Sequence, residues 1–158
     1  MLDLPADRSC SIAAPVMTAI DAVIAPARRQ RVEGIVYLLG RTNGPQACVL
    51  SCVAVAASAN YGSFFVPSRE MVRVVNIAND CALQVVGQLH THPFEAFHSR
   101  GDDAGAQIRF DGFVSIVVPD YGNYLPTLRG AAVYAYDAAL EEFVPLRPDR
   151  VFLVGARL

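Results

Sequence analysis

An apolar run that ends in a pair of histidines constrains this sequence most. Gln84–Leu89 has the composition of a β-strand, and it leads directly into His90-Thr91-His92. In an extended chain the side chains of residues i and i+2 point to the same side, so both imidazoles can reach one metal ion. The third His of the chain, His98, follows closely. The fold must therefore place the end of this strand so that the two imidazoles can converge on one metal ion.

The composition predicts one globular domain over residues 1–158. Hydrophobic residues make up 53% of the chain and charged residues 18%, which is typical of a protein with a packed core. A net charge of −2 favours neither nucleic acid nor an anionic membrane as a partner. We expect a cytoplasmic protein, because the sequence has no membrane-spanning apolar run and the N-terminus lacks a signal-peptide pattern.

The four cysteines do not form a metal-binding motif. Cys10, Cys48, Cys52 and Cys81 lack the C-x-x-C spacing of zinc and redox sites. In a reducing cytoplasm they are expected to be buried thiols. The nucleobase deaminases are excluded as well, because they need H-x-E and a later P-C-x-x-C and neither motif is present.

Hydrophobic periodicity predicts a mixed β-sheet with helices packed against it. Helices are predicted over residues 11–30 (with Ser11 as N-cap and a kink or end at Pro26), 69–81 and 99–109. Strands are predicted over residues 35–39, 47–57, 84–89, 113–118, 130–136, 142–146 and 151–154. The first two strands are joined by a turn at Thr42–Pro45, and we expect them to form an antiparallel hairpin.

The two histidines provide only part of a catalytic metal site. A catalytic zinc uses three protein ligands and leaves one position for water. Carboxylates that can complete a His/His/Asp set follow in the segment Ser99-Arg100-Gly101-Asp102-Asp103. The reaction also needs a base that takes a proton from water and hands it to the leaving group. Glu33, directly before an apolar strand, is the candidate base, and Glu95 is its rival.

These residues together resemble a known family. Glu33 in EGIVYLLG, then His90-Thr91-His92-Pro93, then Ser99-x-x-Asp102, resemble the JAMM motif of the MPN+ (JAB-domain) zinc metalloproteases. The likeness is greatest to bacterial JAB-type, deubiquitinase-like isopeptidases, and it covers about residues 32–122. It implies an α/β (α+β) fold: a single MPN/JAB domain with a mixed β-sheet flanked by helices, similar to cytidine deaminase.

The resemblance also implies roles for the residues and a reaction. His90 and His92 would bind one catalytic zinc with Asp102 as third ligand, Glu33 would activate the zinc-bound water, and Ser99 would donate a hydrogen bond to the oxyanion. The implied reaction is hydrolysis of the amide after the C-terminal Gly of a bacterial ubiquitin-like protein, in deconjugation or precursor processing. The implied partners are the modifier, its conjugates, and the activating and conjugating enzymes of that pathway, with antiphage defence as a possible setting.

Two alternatives for the third ligand stay open at this point. The loop from His92 to Ser99 is one residue shorter than the usual family spacing, so Asp103 is the alternative to Asp102. His98 could also replace the aspartate in a His/His/His site.

Other functions and the substrate path are also considered. The alternatives to an isopeptidase are a non-catalytic MPN scaffold and a zinc amidase that acts on a sulfur-carrier protein or on a cell-wall or metabolite amide. For an isopeptidase, an extended substrate tail is expected beside residues 63–66 and the loop Phe94–Phe97.

Overall fold

The computed structural model describes residues 7–59, 64–98 and 107–155, and every structural statement below concerns these residues. Its strands are β1 (Ser9–Ala13), β2 (Ile35–Asn43), β3 (Gln46–Ala54), β4 (Ser58–Ala59), β5 (Phe64–Phe65), β6 (Gln84–Thr91), β7 (Val114–Val118), β8 (Ala132–Asp137), β9 (Glu142–Pro145) and β10 (Val151–Val154). Its α-helices are α1 (Ala14–Gln30) and α2 (Ser68–Asp80). Neither helix has the length and apolar character needed to cross a membrane.

A curled, mixed eight-stranded sheet is the centre of the structure. Its strand order is β10-β1-β3-β2-β6-β7-β8-β9, and β4 and β5 form a separate two-stranded ribbon. β1 runs parallel to both β3 and β10, and β6 runs parallel to β7. The other neighbours in the large sheet are antiparallel. The architecture is therefore α+β, as the sequence predicted at that level.

The two faces of the sheet carry separate apolar clusters. On one face Val36 and Leu38 of β2 pack with the buried side of α1. On the other face Tyr37 and Leu39 pack with the buried side of α2. Because alternate residues of a strand point to opposite faces, β2 is buried on both sides, and this makes the strand that follows Glu33 one of the most enclosed elements of the sheet.

The hairpin and the second helix are confirmed. β2 and β3 form the predicted antiparallel hairpin, and α2 matches the predicted helix to within one residue at each end. The third predicted helix, 99–109, lies largely outside the described residues, and residues 107–109 have no regular structure.

The predicted start of the first helix is wrong. Ser11 is no N-cap, because it lies in β1 and pairs with Cys48 on one side and Phe152 on the other. α1 begins at Ala14 instead, with Pro15 in its first turn, where a missing N–H costs nothing.

Pro26 does not end α1, so that part of the prediction is wrong, and a kink at Pro26 stays a prediction. The helix continues through it to Gln30. Pro26 and Ala22, whose carbonyl loses its helical partner, are both exposed, so water can satisfy that carbonyl.

Candidate functional site

The pairing of β2 with β6 brings Glu33 to the histidines. Ile35 lies opposite His90 in this antiparallel ladder. One step further the Thr91 N–H donates to the Gly34 carbonyl, and the Gly34 N–H donates to Thr91 Oγ1, each over 2.9 Å. Continued by one more residue, this register sets Glu33 opposite His92. Glu33, His90 and His92 thus share one face of the sheet.

All three side chains are buried. The exposed fraction is 4% for Glu33, 0% for His90 and 6% for His92. Burial of polar groups costs free energy unless they are hydrogen-bonded or paired, and buried titratable groups are concentrated at functional sites. A carboxylate and two imidazoles on one buried patch therefore form the strongest candidate site in the described part of the chain.

The spacing of the two imidazoles fits a shared metal ion. The ring centroids of His90 and His92 are 5.1 Å apart, with an angle of 54° between the ring planes. With Zn–N bonds of about 2.1 Å and tetrahedral geometry, two imidazoles on one zinc have centroids about 5 Å apart. The separation of the two rings is thus that of two imidazole ligands on one ion.

Aromatic side chains and backbone hydrogen bonds hold the pair in place. Phe64 packs against His90 at 5.3 Å between ring centroids, and Phe97 packs edge-on against His92 at 5.0 Å. The His92 N–H donates to the Val118 carbonyl, and its own carbonyl accepts from the Tyr121 N–H, each over 2.9 Å. The chain just beyond β6 is therefore fixed on both sides of His92.

The remaining predicted site residues lie outside the described residues. These are Ser99, the predicted oxyanion donor, and Asp102 and Asp103, the two candidates for the third ligand. Within residues 7–59, 64–98 and 107–155 no cluster of three or more His, Cys, Asp or Glu could hold a metal ion. The third ligand and the oxyanion donor thus stay predictions.

His98 packs against the β8–β9 hairpin and also makes an edge-on ring contact with His90. Its ring lies 4.3 Å from the Phe143 ring and 5.3 Å from the Tyr134 ring, against the β8–β9 hairpin. Its N–H donates to the Tyr134 hydroxyl over 3.2 Å. The His98 and His90 centroids are 6.2 Å apart. His98 therefore packs on this hairpin, and its alternative role as a third metal ligand stays a prediction.

The two candidate bases differ in burial. Glu95 is exposed, whereas Glu33 is buried. A cavity of about 300 Å³, open to solvent, borders Glu33 and the end of α1. The burial of Glu33 favours it as the base, because a base works best where most water is excluded.

The cysteines take no part in the site. All four are free thiols in the structure. Burial, with a smaller effect of Cys48, raises the pKa of Cys10 to about 12. Burial also raises the pKa of Cys52. The expectation of buried thiols is correct for Cys10, but Cys48 and Cys52 are half-buried and Cys81 is exposed.

The sequence analysis missed two residues that shape the site. Thr91 stands in the sequence as the spacer between the histidines, and Tyr121 lies far from them along the chain. The signal for Thr91 was a hydroxyl inside an apolar strand, since a buried hydroxyl needs a partner. Tyr121 had no comparable signal, because its contact with His92 is made by the backbone.

Comparison with known proteins gives one distant sequence relative. No family model matches the chain. A Sinorhizobium fredii protein named "Probable metalloprotease y4jG" is 34% identical over 73 residues, which are 46% of this chain and 45% of that protein. The relative is thus named as a metalloprotease. The match spans less than half of the relative's length.

Solved structures share the fold over nearly the whole chain. The solution structure of protein DSY2949 from Desulfitobacterium hafniense has a TM-score of 0.69 at 16% identity, covering 91% of this chain and 92% of that one. A Salinibacter ruber protein has a TM-score of 0.62 at 19% identity, covering 93% of both chains. At these identities the likeness shows the fold alone.

Proposed function

We propose that this protein is a zinc-dependent metallo-isopeptidase or peptidase of the JAMM type. The observation that carries the proposal is the burial of Glu33 on the sheet face that also carries two buried imidazoles with the spacing of two zinc ligands. The name of the distant Sinorhizobium fredii relative supports a peptidase-type role. The MPN/JAB domain assignment over residues 1–158, with a core at about 32–122, is part of this proposal.

His90 and His92 would hold the zinc together with Asp102, or with Asp103 as the alternative. When bound, zinc polarises the scissile carbonyl and makes water more acidic. Two neutral histidines and one carboxylate are a common ligand set for such chemistry. The buried, aromatic-lined setting of the pair would restrict access to water.

Glu33 would serve as general base and then as general acid. Its carboxylate accepts a proton as water attacks the scissile carbonyl carbon and the new C–O bond forms. It then gives that proton to the nitrogen as the C–N bond breaks, so that an amine leaves and a carboxylate remains. Ser99 would donate a hydrogen bond to the carbonyl oxygen during the attack.

The surroundings of the pair suit an extended peptide. Phe94 and Phe97 are 70% and 53% exposed on the loop that follows His92, and Phe65 of the β4–β5 ribbon is 64% exposed. Its neighbour Phe64 touches His90, so the ribbon borders the pair on one side. An extended chain could add to the ribbon as a further strand.

The substrate proposed for this groove is the C-terminal tail of a bacterial ubiquitin-like protein. The bond cleaved is the amide after its last Gly, and glycine residues fit the narrow space beside a metal ion. The activating and conjugating enzymes of the same pathway would then be partners, in the cytoplasm.

The proposal is tested with a fluorescence-quenched probe in which a peptide ending in Gly-Gly is joined to the ε-amine of a lysine peptide. The wild-type chain should cleave the isopeptide bond. Glu33→Gln should keep its zinc and lose about 10²–10⁴-fold in rate. Glu95→Gln is the matched control and should cleave at the wild-type rate, because Glu95 is exposed.

Several results would count against the proposal. Full activity in Glu33→Gln would overturn Glu33 as the base. A zinc-loaded wild type that cleaves only small amides would point to the amidase alternative. A wild type that holds no metal would favour a scaffold.

A further inference from the structure

We propose that Tyr121 is a positioning residue that fixes the spacing between the Glu33 segment and the His92 segment. The inference rests on the function proposed above. β6 ends at Thr91 and β2 begins at Ile35, so Glu33 and His92 both lie just beyond the regular ladder. Beyond the Gly34–Thr91 hydrogen bonds, the turn Pro119–Gly122 is placed to hold both segments.

The backbone of this turn is strained. Asp120 and Tyr121 have φ values of 50° and 52°, in the left-handed region that side chains rarely adopt. Two consecutive non-glycine residues of this kind persist only where the surroundings hold them, and such strain is concentrated at functional sites.

Backbone N–H groups of the turn donate hydrogen bonds to the segment that carries His92. The Tyr121 N–H donates to the His92 carbonyl over 2.9 Å, and the Asp120 N–H donates to the Phe94 carbonyl over 3.1 Å. Gly122 follows with φ of 79°, and a Cβ there would lie 3.2 Å from Ile24 and 3.4 Å from Thr91. The turn is therefore packed between α1 and the end of β6.

The side chain of Tyr121 reaches the other half of the site. The ring is 2% exposed, and the guanidinium carbon of Arg31 lies 5.7 Å from its centroid, within the range of a cation–π contact. Arg31 ends α1 and lies two residues before Glu33. One residue thus binds the metal-ligand segment by its amide and contacts the base segment by its ring.

The variant Arg31→Gly tests the positioning role of the Tyr121–Arg31 contact without destabilising the fold. Arg31 has φ of 55°, so glycine suits its backbone and should keep or raise the stability of the fold while the cation–π contact is lost. We expect kcat on the isopeptide probe to fall by about 3–5-fold at unchanged KM, the effect of losing one such contact. Arg31→Lys keeps a cation and should restore most of the rate.

Ala82→Gly is the matched control. Ala82 has φ of 53° just after α2, at the opposite end of β6 from His90, so the same relief of strain should leave kcat unchanged. Tyr121→Leu removes the ring and should lower kcat at least as much as Arg31→Gly. Circular dichroism at increasing temperature establishes that each variant is folded.

A measurement on the metal-free protein distinguishes a failure of the positioning role from a failure of the proposed function. Ring nitrogen NMR signals of His92, assigned with His92→Gln, should shift in Arg31→Gly and Tyr121→Leu but not in Ala82→Gly. If both site variants leave the His92 signals and kcat unchanged, the positioning role is wrong. A wild type that holds no zinc and cleaves no probe overturns the proposed function instead, and the His92 signals still decide the role of Tyr121.

Discussion

A single hydroxyl on Thr91 links the two halves of the candidate site. It accepts the Gly34 N–H inside a fully buried environment. Thr91→Val should destabilise the fold by about 1–3 kcal/mol, because the Gly34 N–H is left without its acceptor in the interior. Urea denaturation measures the loss. Thr91→Ser keeps the hydroxyl and should lose less, so equal losses in the two variants would contradict this role.

The cysteines differ in reactivity because they differ in burial. The pKa of Cys10 is raised to about 12, so almost no thiolate forms at pH 8, and Cys81 is exposed. In the native protein iodoacetamide should modify Cys81 first and leave Cys10 intact, as read by peptide mass spectrometry. Cys81→Ser should remove the fastest phase. Early modification of Cys10 would show that its surroundings are open.

The sequence indicates the candidate site only as far as residue chemistry goes. His90, His92 and Glu33 stand out because imidazole and carboxylate groups are the chemistry that a metal hydrolase needs. Thr91 and Tyr121 act through register and backbone hydrogen bonds, which depend on strand pairing that no local pattern reveals. The choice between Asp102 and Asp103 stays a prediction, since both lie outside the described residues.

At the scale of elements, β6 carries His90, leads into His92, and has β2 and β7 as neighbours. Gly87 permits the approach of β7, since a Cβ there would lie 2.5 Å from the Val114 carbonyl oxygen. Gly87→Ala should cost about 1–3 kcal/mol, as overpacking does, and should weaken zinc binding because β6 shifts. Urea denaturation and chelator competition measure the two effects.

Gly44→Asn is the control for this substitution. Gly44 lies in the β2–β3 turn with φ of 55° and open space around it, and asparagine tolerates that conformation. It should leave both stability and zinc binding nearly unchanged. If Gly87→Ala is destabilised but binds zinc as tightly as wild type, the packing of β6 against β7 does not affect the histidines.

Elements with strong local signals were predicted well, and β1 was not. The β2–β3 hairpin has a turn sequence between two apolar runs, and α2 has a clear helical period. β1 has a five-residue sequence that continues smoothly into α1, and its strand character comes from neighbours on both sides, β3 and β10. Tertiary pairing thus overrides a local preference for helix.

At the scale of the whole molecule, Arg8 ties the start of β1 to the far end of the sheet. Its guanidinium donates to Asp111 over 2.6 Å and lies 3.8 Å from Asp137. The hydrogen bond from Arg8, and then the one from the Ala138 N–H, hold the pKa of Asp111 below its ordinary value. The stabilisation is therefore present above the unfolded carboxyl pKa of about 3.9 and is lost as the pH falls through the lowered folded value.

Arg8→Gln should lower the free energy of unfolding at pH 7 by no more than about 1 kcal/mol, because Asp111 is largely exposed and screened. The difference from wild type should shrink between pH 7 and pH 2, as the Asp111 carboxylate becomes protonated. Urea denaturation at the two pH values checks this. Arg147→Gln, in an exposed pair with Asp149, is the control, and an equal effect there would contradict a specific tie.

Strand order could not be predicted from the sequence. β1 and β10 come from opposite ends of the chain, yet they lie side by side and parallel, with Cys10 opposite Val151. Loop composition predicts which strands are neighbours along the chain. It does not predict pairing between strands that are far apart in the sequence, because such pairing depends on how the whole sheet assembles. The two solved structures resemble this chain at this level, the fold as a whole.

The central claim is that Glu33 and the two histidines form one metal-hydrolase site, and the metal content of the purified chain tests it most directly. Elemental analysis after dialysis should find about one zinc per chain in wild type and in Glu33→Gln. His90→Gln and His92→Gln should hold almost none. Wild type without stoichiometric zinc, or histidine variants that retain it, would contradict the account.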